Sequence, residues 1–310
     1  MYTIGLDLGG TKIKIGLIHN GQIVEEIEVD AASHLGLQNR LPVLEKEINQ
    51  LLEKHGANDF QGIGISIPGI VDVNRARLLT INDKYNDAVD IDLKAWAKSV
   101  WNKPLFMEND ARSAMVGEWK YGAGKGHDNV VMMTLGTGLG TSAVIEGKVV
   151  RGQNFQAGIL GGHFIVNYKG QQCNCGNVGC AEAEASSWNL PNIIAALEEK
   201  SGKLPEADKV DFAQLFTWYR EGNAAAKYVV DHCIKIWSTT VANLVYAYDP
   251  EVVIIGGGIM RSADIILPAI KENLKSFGWV PFDKIELKTA EFVHASALLS
   301  AEYFLSELNN

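Results

Sequence analysis

An aspartate followed closely by two glycines and a hydroxyl, Asp7-Leu8-Gly9-Gly10-Thr11-Lys12, is a set of residues able to meet a polyphosphate and its counter-ion. Glycine lets the backbone come close to a phosphate and take tight-turn conformations. Successive N–H groups in such a turn form an anion-binding concavity, and Asp7 offers an oxygen to Mg2+, commonly through water. Taken alone, the segment is equally well read as a hairpin turn with a capping aspartate, because short glycine motifs are weak evidence. A second stretch of the same kind, Leu135-Gly136-Thr137-Gly138-Leu139-Gly140, changes the balance. Two such turns can grip a triphosphate from both sides. Neither is a Walker A loop, since no Gly-Lys-Ser/Thr follows at the required spacing. Neither is a dinucleotide fingerprint, since each turn leads into a strand pattern and not a helix. Gly256-Gly257-Gly258, after an apolar run, is a third place of close approach, suited to a flat adenosine; on its own it reads as a strand-to-helix turn.

Glu108-Asn109-Asp110-Ala111 lies between a short apolar strand and a helical pattern. In phosphoryl transfer the protein mainly positions groups and neutralises charge, while one carboxylate takes the acceptor's proton. Asp110 suits that role, and Asn109 suits a hydrogen bond to a neighbouring hydroxyl. The plainer reading is that Asp110 caps the helix; the phosphate turns favour the catalytic one. The most specific local signal is His163-x9-Cys173-x-Cys175-x4-Cys180. One imidazole and three thiols suit tetrahedral Zn2+ in a closed structural site, with no position left for a reacting water. Such a knuckle would fix Glu182, two residues past Cys180. Cys233 stands apart in a helical run and reads as core.

These residues need strand ends and helix starts to hold them. Thr3 to Leu8 and Ile13 to Leu17 read as strands around the first turn, Asn20-Gly21 as a hairpin signal, and Gln22 to Val29 as a third strand. Leu41, Leu44, Ile48, Leu51 and Leu52 have helical spacing within Gln38 to Lys54. Ile63 to Ile67 and Leu105 to Met107 read as short strands, with a helix from Asp110 to about Trp119. The second half opens like the first: strand Asn129 to Leu135, Gly-Thr-Gly turn, strand Leu139 to Ile145 and a turn at Glu146-Gly147. The repeat implies a duplicated architecture. A long helix over Asn223 to Tyr246, a buried strand over Val252 to Ile255 and an amphipathic helix over Ser296 to Leu308 follow. We expect two α/β domains sharing a cleft, 1–117 and 118–295, with the helix of about 296–310 packing back on the first.

Of the 310 residues, 47% are hydrophobic and 21% charged, an ordinary globular composition, and the formal net charge is -9. That charge argues against a nucleic-acid-coating surface. No apolar run is long enough to span a membrane, and the first residues lack the features of a signal peptide. The expectation is a cytoplasmic protein with no nucleic-acid or membrane partner, whose clustered cysteines bind metal and do not form disulfides.

Together these segments resemble the ROK family (repressor, open reading frame, kinase) of the actin-like ATPase superfamily, whose fold is ribonuclease H-like, over nearly the whole chain. Asp7 to Lys12 resembles its first phosphate motif, Ser66-Ile67-Pro68-Gly69 its sugar-side loop, Glu108-Asn109-Asp110 its catalytic motif and Leu135 to Gly140 its second phosphate motif. Gly162-His163 with Cys173-Asn174-Cys175-Gly176-Asn177-Val178-Gly179-Cys180-Ala181-Glu182 resembles its zinc-and-sugar signature. The resemblance implies ATP with Mg2+, structural zinc, transfer of the γ-phosphoryl group to a hexose, commonly at the 6-hydroxyl, closure of the two domains on the substrates, and a homodimer or homotetramer. By motif, Asp110 is the base and Gly69, Asn109, His163 and Glu182 face the sugar, with Asn82 a further contact. His163 would serve both zinc and sugar. Members that act as repressors carry a helix-turn-helix domain before the first phosphate motif; here that motif begins at Asp7.

One position departs from the family pattern Gly-Glu-x-Gly-His. Counting back from His163 places Leu160 where the glutamate belongs; counting forward from Gly152 places Ile159 there. A charge-assisted hydrogen bond to a sugar hydroxyl is worth about 1.5–3 kcal/mol, so its loss should weaken plain glucose. It would also make room for a substituted or differently configured sugar. Two other readings follow: a non-catalytic sugar-binding regulator of the same family, which Asp110 argues against, and another actin-like ATPase, which the zinc cluster argues against.

Overall fold

Alternation of apolar and polar residues makes the first thirty residues a three-stranded meander: β1 (Thr3–Leu8), β2 (Lys12–His19) and β3 (Gln22–Asp30). The computed structural model describes residues 1–81, 84–205, 207–279, 282–292 and 295–308; Asn82 lies outside them. α1 (Leu41–Lys54) puts Leu41, Leu44, Ile48, Leu51 and Leu52 into the core. It starts three residues later than the expected range, at the first residue of the apolar spacing, with Pro42 in its first turn, where proline loses no hydrogen bond. β4 (Ile63–Ile67) is buried on both faces, as a central parallel strand should be. The hairpin β5 (Ile70–Asp72) and β6 (Arg77–Thr80), helix α2 (Leu93–Trp101), strand β7 (Leu105–Asn109) and helix α3 (Asp110–Tyr121) follow. The five-stranded sheet has the order β3-β2-β1-β4-β7; β1, β4 and β7 are parallel, and β2 and β3 antiparallel to their neighbours.

The second half repeats this scheme. β8 (Val130–Leu135), β9 (Leu139–Ile145) and β10 (Lys148–Val149) form a meander, followed by the short helix α4 (Ala181–Ala185), α5 (Leu190–Ser201), α6 (Phe212–Arg220) and the long α7 (Ala224–Tyr248). β11 (Val252–Gly256), α8 (Ala263–Leu274) and β12 (Glu286–Thr289) complete it. Its sheet order is β10-β9-β8-β11-β12, with the same parallel and antiparallel relations. The buried face of α7 carries Trp237, whose indole N–H donates to the carbonyl of Ala185 at 2.9 Å.

Two compact units result. The first comprises Met1–Gly126, Arg151–Ala157 and His294–Asn310; the second comprises His127–Val150 and Gly158–Val293. The first therefore runs past the boundary expected at residue 117, because α3 continues to Tyr121. It also takes back Arg151–Ala157, which the sequence reading assigned to the second. The reason is a buried ionic cluster: Arg151 Nε donates to Glu108 Oε2 at 2.8 Å, and Arg112 Nη2 donates to the carbonyls of Phe155 and Ala157 at 3.0 and 2.7 Å. The last helix, α9 (Ser296–Glu307), packs on α3, β1 and β4 of the first unit. It sits where side chains are missing. A methyl group added to Gly64 would collide with the Ala301 Cβ, and one added to Gly117 would collide with the Ser296 carbonyl oxygen.

Candidate active site

At the end of β1, Asp7 accepts a hydrogen bond from Ser66 Oγ at 2.9 Å, across the parallel pair that β1 makes with β4. Loss of hydration raises its pKa to about 6; the charge of Asp110 adds to the rise, while Ser66 and Lys14 oppose it. The turn that follows, Gly9-Gly10-Thr11, is held from its outer side. Tyr85, fully buried, donates its hydroxyl to the Gly9 carbonyl at 2.7 Å, and Ser33 Oγ donates to the Gly10 carbonyl at 2.8 Å. Thr11 and Lys12 are exposed.

Asp110 is the first residue of α3, but it is not the cap. Asn109 is: its side-chain oxygen accepts from the N–H groups of Ala111 and Arg112 at 3.0 and 3.2 Å. Its amide nitrogen donates to the Gly69 carbonyl at 2.9 Å and to Asp110 Oδ1 at 3.0 Å. All the hydrogen-bonding capacity of the Asn109 amide is thus taken, so its visible work is to orient Asp110 and the sugar-side loop. Gly69 has φ 109°, and a methyl there would collide with the Thr80 carbonyl oxygen, so only glycine fits. Asp110 is exposed as a residue, yet protein atoms crowd its carboxyl group. The resulting loss of hydration raises its pKa; the Ala111 N–H, the charge of Lys84 and the Asn109 amide oppose the rise. Behind it, Glu108 and Arg112 are fully buried and paired at 3.2 Å, and Glu108 Oε1 accepts the N–H of Asn109 at 2.9 Å. The first unit thereby brings Asp7, the first glycine turn, Gly69, Asn109 and Asp110 together. Lys84, Arg112 and Arg151 were not singled out from sequence; no motif marks them, and the partners they find, Asp110 for Lys84 and Glu108 for the two arginines, emerge only with the fold.

In the second unit the turn at Gly136-Thr137-Gly138 is pinned differently. Glu182 Oε2 accepts the Leu139 N–H at 2.9 Å, and its other oxygen accepts the Trp188 indole N–H at 3.2 Å. The carbonyls of Gly136 and Thr137 accept from the backbone N–H groups of Ser187 and Trp188 at 3.2 and 3.0 Å. A methyl on Gly138 would meet Glu182 Oε2 at 2.5 Å, whereas one on Gly136 or Gly258 would enter open space. Gly257, at φ 94°, lies against Leu135 so closely that a methyl group there would collide with the Leu135 carbonyl oxygen; the third glycine run thus adjoins the second turn. Gly256 ends β11 beside Thr134.

His163 closes a short 3-10 turn, Ile159–His163, tied to β9 by the Gly161 N–H, which donates to Thr141 Oγ1 at 2.9 Å. One donor atom from each of His163, Cys173, Cys175 and Cys180 falls within 4.8 Å of the others. Cys173 Sγ is 3.7 Å from His163 Nδ1, and Cys175 Sγ is 3.6 Å from Cys180 Sγ. Ligands about 2.3 Å from a tetrahedral zinc stand about 3.7 Å apart, so the donor set and its spacing fit zinc. With Nδ1 turned to the sulfurs, Nε2 of His163 is left for another partner. The knuckle is further braced by buried Glu184, whose oxygens accept from the Gln171 N–H and the Asn167 amide at 2.5 and 3.2 Å. Of the two residues at the departure from the family pattern, Ile159 is partly buried and Leu160 is 39% exposed.

No described helix is long and apolar enough to cross a membrane. The sequence model of the ROK family matches residues 3–307. A glucokinase of Thermotoga maritima is 30% identical, with 98% of this chain and 97% of that protein covered. Among solved structures, a ROK hexokinase from Thermus thermophilus superposes over all of both chains with a TM-score of 0.82 and 27% identity. A ROK glucokinase from Streptomyces griseus, solved with glucose and AMPPNP, covers 99% of this chain and all of its own, with a TM-score of 0.77 and 28% identity.

Proposed function

Since the chain belongs to the ROK family, we propose that it is an ATP-dependent sugar kinase that moves the γ-phosphoryl group to a hexose hydroxyl, the 6-hydroxyl by family precedent. The observation that carries this reading is the setting of Asp110. It stands at the start of α3, oriented by Asn109, beside the first phosphate turn, with its pKa raised toward the range where a carboxylate is an effective base. As the sugar oxygen attacks, Asp110 takes its proton.

The two glycine turns and Gly256-Gly257-Gly258 are the nucleotide-binding elements of this proposal. Openness above Gly136 and Gly258 supports it, since a phosphate or adenosine needs backbone without a side chain in the way. Asp7 and Asp110 repel one another, a state that a hydrated magnesium ion on Asp7 would relieve. When bound, that ion neutralises charge on the β- and γ-phosphates. His163, Cys173, Cys175 and Cys180 would hold zinc as a structural ion, fixing His163 and, through α4, Glu182. For the sugar we assign Gly69, Asn109, His163 and Glu182. Glu182 would exchange part of its hold on the second turn for a hydroxyl, and Asn109 part of its capping bonds. Family precedent further suggests a homodimer or homotetramer, and the first residues and the lack of a long apolar run support a cytoplasmic place for it.

A coupled ADP-release assay across glucose, mannose, fructose, allose, N-acetylglucosamine, N-acetylmannosamine and a β-glucoside tests the reading. One sugar should drive turnover, and Asp110→Asn should lower kcat by about 10²–10⁴-fold with the circular dichroism spectrum unchanged. A sugar that binds by calorimetry while no ADP is released would make the protein a regulator instead.

A further inference from the structure

We propose that Lys84 is a catalytic residue of this transfer: its ammonium group holds the γ-phosphoryl group of ATP above the Gly9-Gly10 turn, in front of Asp110. The proposal rests on the kinase reading above.

Three observations converge on the side chain. First, it lies directly over the phosphate turn. A methyl group built on Gly10 would be 2.5 Å from Lys84 Cε, 2.8 Å from Nζ and 2.9 Å from Cδ. Second, the backbone that carries it is fastened to the same turn. The next residue, Tyr85, donates its hydroxyl to the Gly9 carbonyl, and its N–H donates to the Ser33 carbonyl at 3.0 Å, while Ser33 itself bonds the Gly10 carbonyl. Tyr85 takes φ 50°, a left-handed conformation that a bulky residue adopts only when its surroundings hold it there. Two residues on, Asp87 accepts the N–H groups of Leu37 and Gln38 at 2.6 and 2.9 Å, closing the segment on its other side. Third, the positive charge of Lys84 reaches Asp110. One cation therefore stands over the surface that would cradle the phosphates and within electrostatic reach of the base.

Lys84 is exposed and fills no part of the core; the segment is anchored by Tyr85 and Asp87 without it. What the position does offer is fixed charge at the point of transfer. The acceptor oxygen forms a bond to Pγ, the bond from Pγ to the β,γ-bridging oxygen breaks with its electron pair leaving on ADP, and the hydroxyl proton passes to Asp110. Lys84 takes no part in the proton's path. Negative charge spread over the three outer oxygens of the moving group is what a preplaced ammonium stabilises.

The test separates γ-phosphate binding from loop architecture. Lys84→Met should weaken binding of AMPPNP by about 10-fold or more while leaving ADP affinity within about 3-fold, as expected for loss of one charge-assisted contact. With the best sugar, its kcat should fall by about 10²-fold, the lower end for loss of one preorganised charge-stabilising group. Lys84→Arg, which keeps the charge, should recover most of both effects. Should the ratio of AMPPNP to ADP affinity be the same in wild type and Lys84→Met, the proposal is overturned, whatever happens to kcat. The nucleotide titrations need no sugar, so the two failures are told apart: an unchanged AMPPNP to ADP ratio overturns the role of Lys84 alone, whereas absence of nucleotide binding in the wild type overturns the kinase reading and this proposal with it.

Discussion

The two units are built to one topological plan and furnished oppositely. Each begins with a strand–glycine turn–strand meander whose first strand has a parallel neighbour. At the next-to-last position of that strand the first unit has Asp7 and the second has Thr134; the partners across the parallel pair are Ser66 and Gly256. The first unit thus has a carboxylate, Asp7, that accepts a hydrogen bond from the Ser66 hydroxyl across the strand pair, and adds Asp110 at the start of a helix. The second has no carboxylate at these places and follows its strands with Gly136 and Gly258, where an added methyl group would enter open space. The same backbone can present chemistry or present space, and the choice rests on a few side chains at strand ends. The means of support differ as well. Behind Asp110 stands a buried ionic cluster, Glu108–Arg112–Arg151; behind Glu182 stands the His163–Cys173–Cys175–Cys180 knuckle.

If that contrast in support holds, the two halves should fail differently. The largest effect is expected from Cys180→Ser. It should remove zinc, measured by elemental analysis, and cost on the order of 4–5 kcal/mol or more in denaturant unfolding, as loss of a structural metal does. Protein that contains no zinc, and unfolds alike with and without the substitution, would break the comparison. Next comes Arg112→Met. It strips one partner from a fully buried carboxylate and two carbonyls of their donor, and removal of a buried partner costs about 3–5 kcal/mol. Arg151 remains on Glu108, so the lower part of that range is expected. Backbone amide exchange should rise over Arg151–Ala157 while the knuckle stays protected; a uniform rise over both units would contradict separate supports.

The smallest effect comes from pH. Asp7 moves from an ordinary value of 3.8 to about 6 on folding, chiefly through lost hydration. Between those values the folded protein keeps a proton that the unfolded chain has lost, so stability falls as pH rises through the window, and the whole penalty stands above about pH 6. At 1.36 kcal/mol per unit this amounts to at most about 3 kcal/mol, reduced by the solvent that still reaches the side chain. Asp7→Asn should therefore stabilise the protein at pH 7 and have little effect at pH near 4, followed by urea unfolding. A Thr134→Asn change at the matching place should show no such dependence on pH. Equal behaviour of the two would erase the distinction drawn here.

Much of this was legible in the residues. Apolar alternation located the meanders, and short segments rich in isoleucine and valine located β4 and β11, because burial on one face or both leaves its trace in residue type. That His163, Cys173, Cys175 and Cys180 converge could be read from spacing, since these four donor residues are close in sequence and few other arrangements use them. Helix edges were blurred: nothing in Gln38-Asn39-Arg40 tells that α1 waits for Leu41. Asn109 was read as a sugar contact, and its capping geometry emerged only with the fold. The return of Arg151–Ala157 to the first unit was not legible either. It depends on Arg112 reaching residues some forty positions away, and a single arginine in a helix gives no hint of where its guanidinium goes.

The seat of α9 bears on how the chain is made. The glycines at 64 and 117 shape a slot in the first unit that is filled from Ser296 onward. During synthesis, every residue assigned to the second unit leaves the ribosome before α9 does, so the later-encoded lobe has its full chain in hand while the earlier one still exposes an apolar groove. The groove thus stays uncovered from the emergence of Gly117 until that of Ser296, more than half of the chain's synthesis.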